Sequence, residues 1–418
     1  MAWKMKDSGI EWIGEIPEGW EVATLGHLFS VTAGGDAKPH LYSYVQDAKH
    51  PYPVYTNSSN PNQIYAYTSA PKFNENTITV TGRGDIGHAF YRNTKFDAII
   101  RLLVLAPKSA LDCRYYAYWI DNVSIFFTNS AAIGQLSAQQ IFPYKTCYLP
   151  LCEQQSIANH LDFYCSEIEH ILADIQNSIQ EYKKLKQAVI TQAVTKGVRG
   201  EREMKDSGVE WAGLVPHHWG VAKIGSIGQT SSGATPLRSK EASFFDDAAI
   251  RWVRTLDLND GLVYDSSEKI TELALASSAC SIMPKGTVCV AMYGGAGTIG
   301  KCGLLMSDCA TNQAVCSIVC NREIIFPIFL LMQLLALKSY WMKYAVGTRK
   351  DPNISQDVVA RMKILIPPLD EQKEITDYLD AKCTEIDKLI AKKEQLVKEL
   401  ESYKKSLIYE VVTGKREV

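Results

Sequence analysis

Gly295, Gly300 and Lys301 stand at the spacing of a phosphate-binding loop, in a run GAGTIGKC that ends at Cys302. Such a loop cradles phosphates with backbone N–H groups and needs Ser or Thr after the lysine to hold magnesium. Cysteine cannot do that, and no helical pattern follows in residues 302–308, so these glycines read as tight turns. Cys302, Cys309, Cys316 and Cys320 raise the question of zinc. They contain no C-x2-C pair and have no histidine nearby; small residues packed in a sheet are the expectation. Ser, His and Asp form no nucleophile elbow or triad spacing. Asp246 with Asp247, and Asp257 with Asp260, read as solvated loop charges. No glycine-rich loop for S-adenosylmethionine follows a first strand, and Asp351-Pro352-Asn353-Ile354 only begins like a methyltransferase tetrapeptide. The expectation is a chain with no catalytic residue, no metal site and no cofactor of its own.

At 418 residues with 46% hydrophobic content the chain is long enough for several packed cores. No apolar run approaches the ~20 residues of a membrane span, and the N-terminus has no apolar signal region. Eleven cysteines, an odd number without framework spacing, suit reduced thiols and a cytoplasmic location. The net charge of −2 is unevenly spread. Residues 21–149 hold 10 Lys/Arg against 8 Asp/Glu, residues 220–366 hold 15 against 12, and the remainder is acidic. That balance permits local phosphate contacts without demanding them.

The chain repeats itself. Residues 5–20 read MKDSGIEWIGEIPEGW and residues 204–219 read MKDSGVEWAGLVPHHW; PLCEQQSI from Pro150 returns as PLDEQKEI from Pro368. Four stretches follow: 1–149, a helical 150–197, 198–366, and a helical 367–418. In the first helical stretch steps of seven give Leu161, Ile168, Ile175, Tyr182 and Val189, with Cys165, Leu172, Ile179, Lys186 and Ala193 as the second seam. In the other they give Leu379, Ile386, Lys393, Leu400 and Leu407, with Cys383, Ile390, Val397, Lys404 and Val411. Five heptads without internal Gly or Pro argue for helices over 152–195 and 370–413 pairing as a coiled coil, ~66 Å long at 1.5 Å per residue. Lysines in a seam set register at some cost in stability. Asp370 suits an N-cap, and Gly197 and Gly414 suit helix stops. Each helix end meets an MKDSG element only if the chain is treated as circular, which expects the termini close together.

The intervening stretches read as mixed α and β. Strands are expected at 77–81, 99–105, 287–292 and 315–319, helices at 114–122 and 328–344, and loops at 56–63 and 229–236. Ile86-Gly87 matches Ile299-Gly300, and Gln135-Leu136-Ser137 matches Asn353-Ile354-Ser355. The fold class is therefore α+β: two globular mixed domains joined by two long helices in an antiparallel coiled coil, with a pseudo-twofold internal repeat.

Two variable stretches alternating with two near-identical helical ones, opened by P-L-x-E-Q and preceded by MKDSG elements, resemble the specificity (S) subunit of a Type I restriction–modification system. The resemblance covers the whole chain. It implies that residues 1–149 and 198–366 each hold a target recognition domain for one half of an asymmetric bipartite site in double-stranded DNA. Coil length would then fix the unread spacer. It further implies two modification subunits that methylate adenine N6 with their own S-adenosylmethionine, and restriction subunits that use ATP and magnesium. Arg suits guanine, Asn or Gln suits adenine, and Lys suits phosphate. On that ground Tyr55, Asn57, Lys72 and Arg83 are candidates in the first domain, and Arg251, Arg254, Tyr293, Arg349 and Lys350 in the second. Leu161, Ile168, Leu172, Ile175, Leu379, Ile386, Ile390 and Leu400 are expected to form the coiled coil and subunit-docking scaffold. Two other readings stay open: partnership with a fused methylase–nuclease, and a scaffold that binds no DNA.

Overall fold

The computed structural model describes residues 3–124, 135–246, 248–294, 297–347 and 352–418, the side chains of Lys240 and Glu241 excepted. The heptad stretches form single helices, Leu151–Lys196 and Leu369–Val412, of 46 and 44 residues. Both begin one residue earlier than the heptads suggest. The carbonyls of Pro150 and Pro368 accept the first intrahelical bonds, from Gln154 and Gln372. Asp370 is accordingly no N-cap: it lies in the first turn and accepts from Arg199 at 2.7 Å.

The chain forms two compact units, Met1–Gln176 with Glu394–Val418, and Asn177–Lys393. Each holds one globular part and one portion of each long helix. Within the first, Leu161, Cys165 and Ile168 are buried with Leu407 and Val411, and Leu172 and Leu400 pack against them. Within the second, Ala193, Leu379 and Cys383 are buried together and Val189 lies against them. Ile175, Ile179, Ile386 and Ile390 are buried as well. Period-3.5 spacing thus does what it implies, placing one stripe of each helix out of water.

Pairing is antiparallel in both units. In the second, the Lys393 ammonium lies 5.7 Å from the Tyr182 ring, Lys186 meets Asp387 at 2.6 Å, and Arg199 meets Asp370. In the first, Lys404 meets Glu169 at 2.5 Å. Lys186 and Lys404 are equivalent under the 218-residue repeat, as are Glu169 and Asp387. The seam lysines therefore make the same bridge twice, to an acid flanking the opposite helix, which fixes one register in both units.

The MKDSG elements are β-hairpins. Met5–Asp7 pairs with Glu15–Pro17, and Met204–Asp206 with Leu214–Pro216. Asp7 and Asp206 accept from the N–H of Gly9 and Gly208, whose φ of +65° suits glycine. The closing tryptophans explain the second repeat. Trp20 donates to Glu153 at 2.8 Å, and Trp219 to Glu371 at 3.2 Å. Each ring also lies at the end of the other long helix: a Cβ at Gly414 would come within 3.1 Å of Trp20, and one at Gly197 within 3.3 Å of Trp219. The neighbouring Gln154 and Gln372 are buried. They accept from the N–H of Asp112 and Phe326, where a helix of the globular part begins, and donate to the carbonyls of Leu149 and Pro367. Glu and Gln of P-L-x-E-Q thus bolt hairpin, helix and globular part together. The termini meet as circularity requires: Lys415 donates to the Ile13 carbonyl at 2.7 Å, and Tyr409 to that of Trp12.

Each globular part is built on an antiparallel sheet, in the order Phe29–Ala33, Leu103–Pro107, Thr77–Val80, Ala89–Arg92 in one unit. The other unit runs Gly228–Ser232, Val315–Cys320, Val288–Ala291, Cys302–Leu305, with Gly261–Val263 added parallel at its edge. Helices Cys113–Val123 and Pro327–Ala336 join the cores of these units. Three expectations need correction. Residues 99–102 are a turn, not the start of a strand, because Ile100 and Arg101 take left-handed φ. Gly228–Ser232 is a strand despite its polar letters, because both its neighbours and its backbone bonds come from Val315–Cys320. The helix over 328–344 breaks at Leu337, whose N–H closes the last turn on Gln333, and resumes at Trp341–Tyr344.

Candidate nucleic-acid interface

The same strand pairing occurs in each globular part. Ala98 pairs parallel with Tyr55 as Thr311 pairs with Val253. Two residues beyond these strands stand Asn57 and Thr255. An isolated bridge joins Arg83 to Gln135 in one part and Tyr293 to Asn353 in the other. Arg83 and Tyr293 therefore hold the same place in the fold, at a cluster of loops beyond the strand ends. A further equivalence places the Ile99–Leu102 turn where Asn312–Val315 lies.

In the first unit Asn57 organises this cluster. Its Oδ1 accepts from the N–H of Gly82 at 2.8 Å and its amide donates to the Arg83 carbonyl. Gly82 lies against a second loop, since a Cβ there would sit 3.2 Å from the Arg101 carbonyl. Arg83 and Arg101 are exposed, and neither guanidinium has a hydrogen-bond or ion-pair partner among the described residues. Lys72 is exposed over the Phe73 ring at 5.1 Å, which stacks on Phe96. Tyr55 packs edge-on to Phe96, and Arg92 covers its face at 3.6 Å. Arg92 itself is buried and bonded to Thr79 and the Pro61 carbonyl. Tyr55 and Arg92 thus belong to the packing beneath the loops, while Arg83 and Arg101 stand on the surface with their forks open.

In the second unit the cations are held by acids. Arg251 meets Asp265 at 3.0 Å; Arg254 meets Glu268 at 2.5 Å and Ser267 at 2.9 Å. Arg238, not foreseen, also bonds Glu268 and lies over the Phe245 ring at 4.4 Å. Arg238, Phe245 and Glu268 line a surface cavity of about 520 Å³. A backbone N–H from Ser266, with Lys269 and Arg251, holds the Asp265 carboxyl below its ordinary value. Tyr293 is part-exposed and donates to the Gln313 carbonyl at 2.9 Å, tying two loops. Arg349 and Lys350 lie outside the described residues.

Of the other motifs, Gly295 and Asp247 lie outside the described residues. A strand, Cys302–Leu305, follows the near-phosphate loop where a helix would be needed. Cys302, Cys309 and Cys316 are buried in strands, and burial pushes the Cys316 thiol up to about 12. Asp257 bonds Ser267 and the Arg254 N–H, and Asp260 bonds the Cys302 N–H and Lys338. Among the described residues no cluster of three His, Cys, Asp or Glu is placed to hold a metal. No described helix is long and apolar enough to cross a membrane.

A family model for the Type I restriction modification DNA specificity domain matches the chain twice, at residues 17–181 and 216–401. Over 415 residues the chain is 23% identical to the Type I restriction enzyme MjaVIII specificity subunit of Methanocaldococcus jannaschii, covering 96% of this chain and 93% of the relative. It is 29% identical over 156 residues to S.MpnORF89P of Mycoplasma pneumoniae, covering 36% of this chain and 46% of that relative's length, so less than half of it is spanned. The fold resembles a chain solved in work on assembly and conformational transition of the type I R-M system, with TM-score 0.74 at 13% identity, covering 96% of this chain and 99% of that one. It also resembles the HsdS subunit from Thermoanaerobacter tengcongensis, with TM-score 0.51 at 13% identity over 96% and 98% of the two chains.

Proposed function

Since the chain belongs to the family of the Type I restriction modification DNA specificity domain, we propose that it is the sequence-reading subunit of such a system and that each unit reads one half of an asymmetric bipartite DNA site. The observation that carries this reading is the repeated loop cluster. One scaffold presents Asn57, Arg83, Ile100, Arg101 and Gln135 in one unit, and Thr255, Tyr293, Gln313, Ala314 and Asn353 at the equivalent places in the other. Equivalent places in the fold with unequal side chains suit two readers of different sequence, because base edges are discriminated by side-chain donors and acceptors.

In this reading the chain performs no chemistry. Two modification subunits dock on it and bring S-adenosylmethionine; restriction subunits bring ATP and magnesium. The helices, whose register is fixed twice by the same bridge, set the number of unread base pairs, and the complex works in the cytoplasm. Arg83 and Arg101 are the cations best placed for DNA in the first unit. In the second, Arg251 and Arg254 exchange part of their carboxylate contact for phosphate. The test is methylation mapping of DNA from cells that express the chain with its modification partner. An interrupted, asymmetric motif is the expected result. A contiguous palindrome, or no motif from an active system, overturns the reading.

A further inference from the structure

We propose that Ile100 is an apolar wedge that enters the base stack of the first half-site, with Arg83 and Arg101 beside it on the phosphates. The inference rests on the DNA-reading function above and goes beyond it. Its starting point is an unusual turn. The Leu102 N–H bonds the Ile99 carbonyl at 3.2 Å, and the two residues between have φ of +54° and +60°. That is the pattern of a type I′ turn, which Asn and Gly normally fill. A β-branched residue is among the least tolerated there, because its Cβ crowds the backbone.

Burial does not offset this strain. Ile99 and Leu102 are each 1% exposed, whereas Ile100 between them is 46% exposed. The turn is held by backbone bonds from Ile99 to Tyr55, from Ile100 to Gly35 and from Gly34 to Leu102. Nor does the fold require left-handed residues at this corner. The equivalent turn closes with the Val315 N–H on the Asn312 carbonyl, and Gln313 and Ala314 there have no positive φ. A strained conformation that the surroundings over-determine and the fold does not need points to function.

The chemistry is that of a wedge. Isoleucine is among the side chains that enter between base steps, unstack them and bend the duplex, with arginine alongside. Ile100 stands next to Arg101, and the Arg101 carbonyl lies against Gly82, which precedes Arg83. The exposed apolar side chain thus has one exposed arginine next to it in the chain, and a second on the loop that packs against its turn. Pyrimidine–purine steps unstack most readily, so such a step is expected in the first half-site and needs no counterpart in the second.

The experiment uses the chain assembled with its modification subunits on DNA bearing its mapped site. The fluorescent base 2-aminopurine is placed in turn at each purine except the methylated adenines, which are extruded for chemistry in any case. The wild-type complex should raise fluorescence at one step of the first half-site. Ile100→Gly should abolish that rise and weaken binding about tenfold, while probes in the second half-site stay unchanged. Glycine suits positive φ, so the variant's thermal midpoint should hold or rise, which separates lost contact from lost folding. Ile100→Leu should keep the fluorescence. Wild-type signal and affinity in Ile100→Gly, or sequence-specific binding with no rise in the first half-site, overturns the wedge and leaves the DNA-reading function standing. Absence of any sequence-specific binding by the wild-type complex overturns both.

Discussion

Glu371 accepts from four side chains, those of Arg199, Arg202, His218 and Trp219. Burial pushes its carboxyl up, but hydrogen bonds from His218, Arg202 and Trp219 outweigh that and hold it below the ordinary value of 4.5. A depressed carboxylate contributes stability that is complete above its unfolded pKa and is lost as pH falls through the folded one. Glu371→Gln should therefore cost about 2 kcal/mol at neutral pH and flatten the acid limb of the stability curve below 4.5. Urea melts at neutral and acid pH measure both, and parallel acid limbs in wild type and variant would contradict the assignment. Glu153 accepts from Trp20 and, among the described residues, from no arginine, so Glu153→Gln should cost less. The repeated Trp and Glu were legible as letters, but their bond was not, since it spans 133 residues in one unit and 152 in the other. Arg101 escaped notice because AIIRLLVL reads as one continuous strand. Only the backbone reversal at Ile100 exposes it.

Among elements, the long helices were the most legible because a heptad stripe is a local signal that needs no knowledge of the partner. The seam lysines were visible as interruptions; that Lys186 and Lys404 make one bridge twice was not. The bridge predicts coupling. Lys186→Glu should destabilise the second unit, and adding Asp387→Lys should recover part of the loss, with about 0.5 kcal/mol of interaction for a part-exposed pair. A double-mutant cycle with no measurable coupling would refute its role in register. The globular parts were harder. Gly228–Ser232 shows no apolar alternation, since strand Val315–Cys320 supplies its bonds from about 90 residues away. The helix over 328–344 reads as continuous because apolar residues persist through its break at Leu337. Tertiary pairing decides both, and no local pattern carries it.

In the proposed function the whole molecule joins one repeated scaffold to two unlike readers. If helix length sets the spacer, deleting residues 172–178 and 390–396 together should shorten the unread stretch by about 3 base pairs or abolish methylation. An active enzyme with an unchanged spacer would refute the ruler. The repeated scaffold also predicts modular readout, and that is the central claim. The most direct test exchanges residues 21–149 for the corresponding stretch of another specificity subunit and maps methylated adenines in DNA from cells expressing the hybrid with its modification partner. One half-site should change while the other half-site and the spacer stay fixed. A change in both halves, or in neither, would contradict the account.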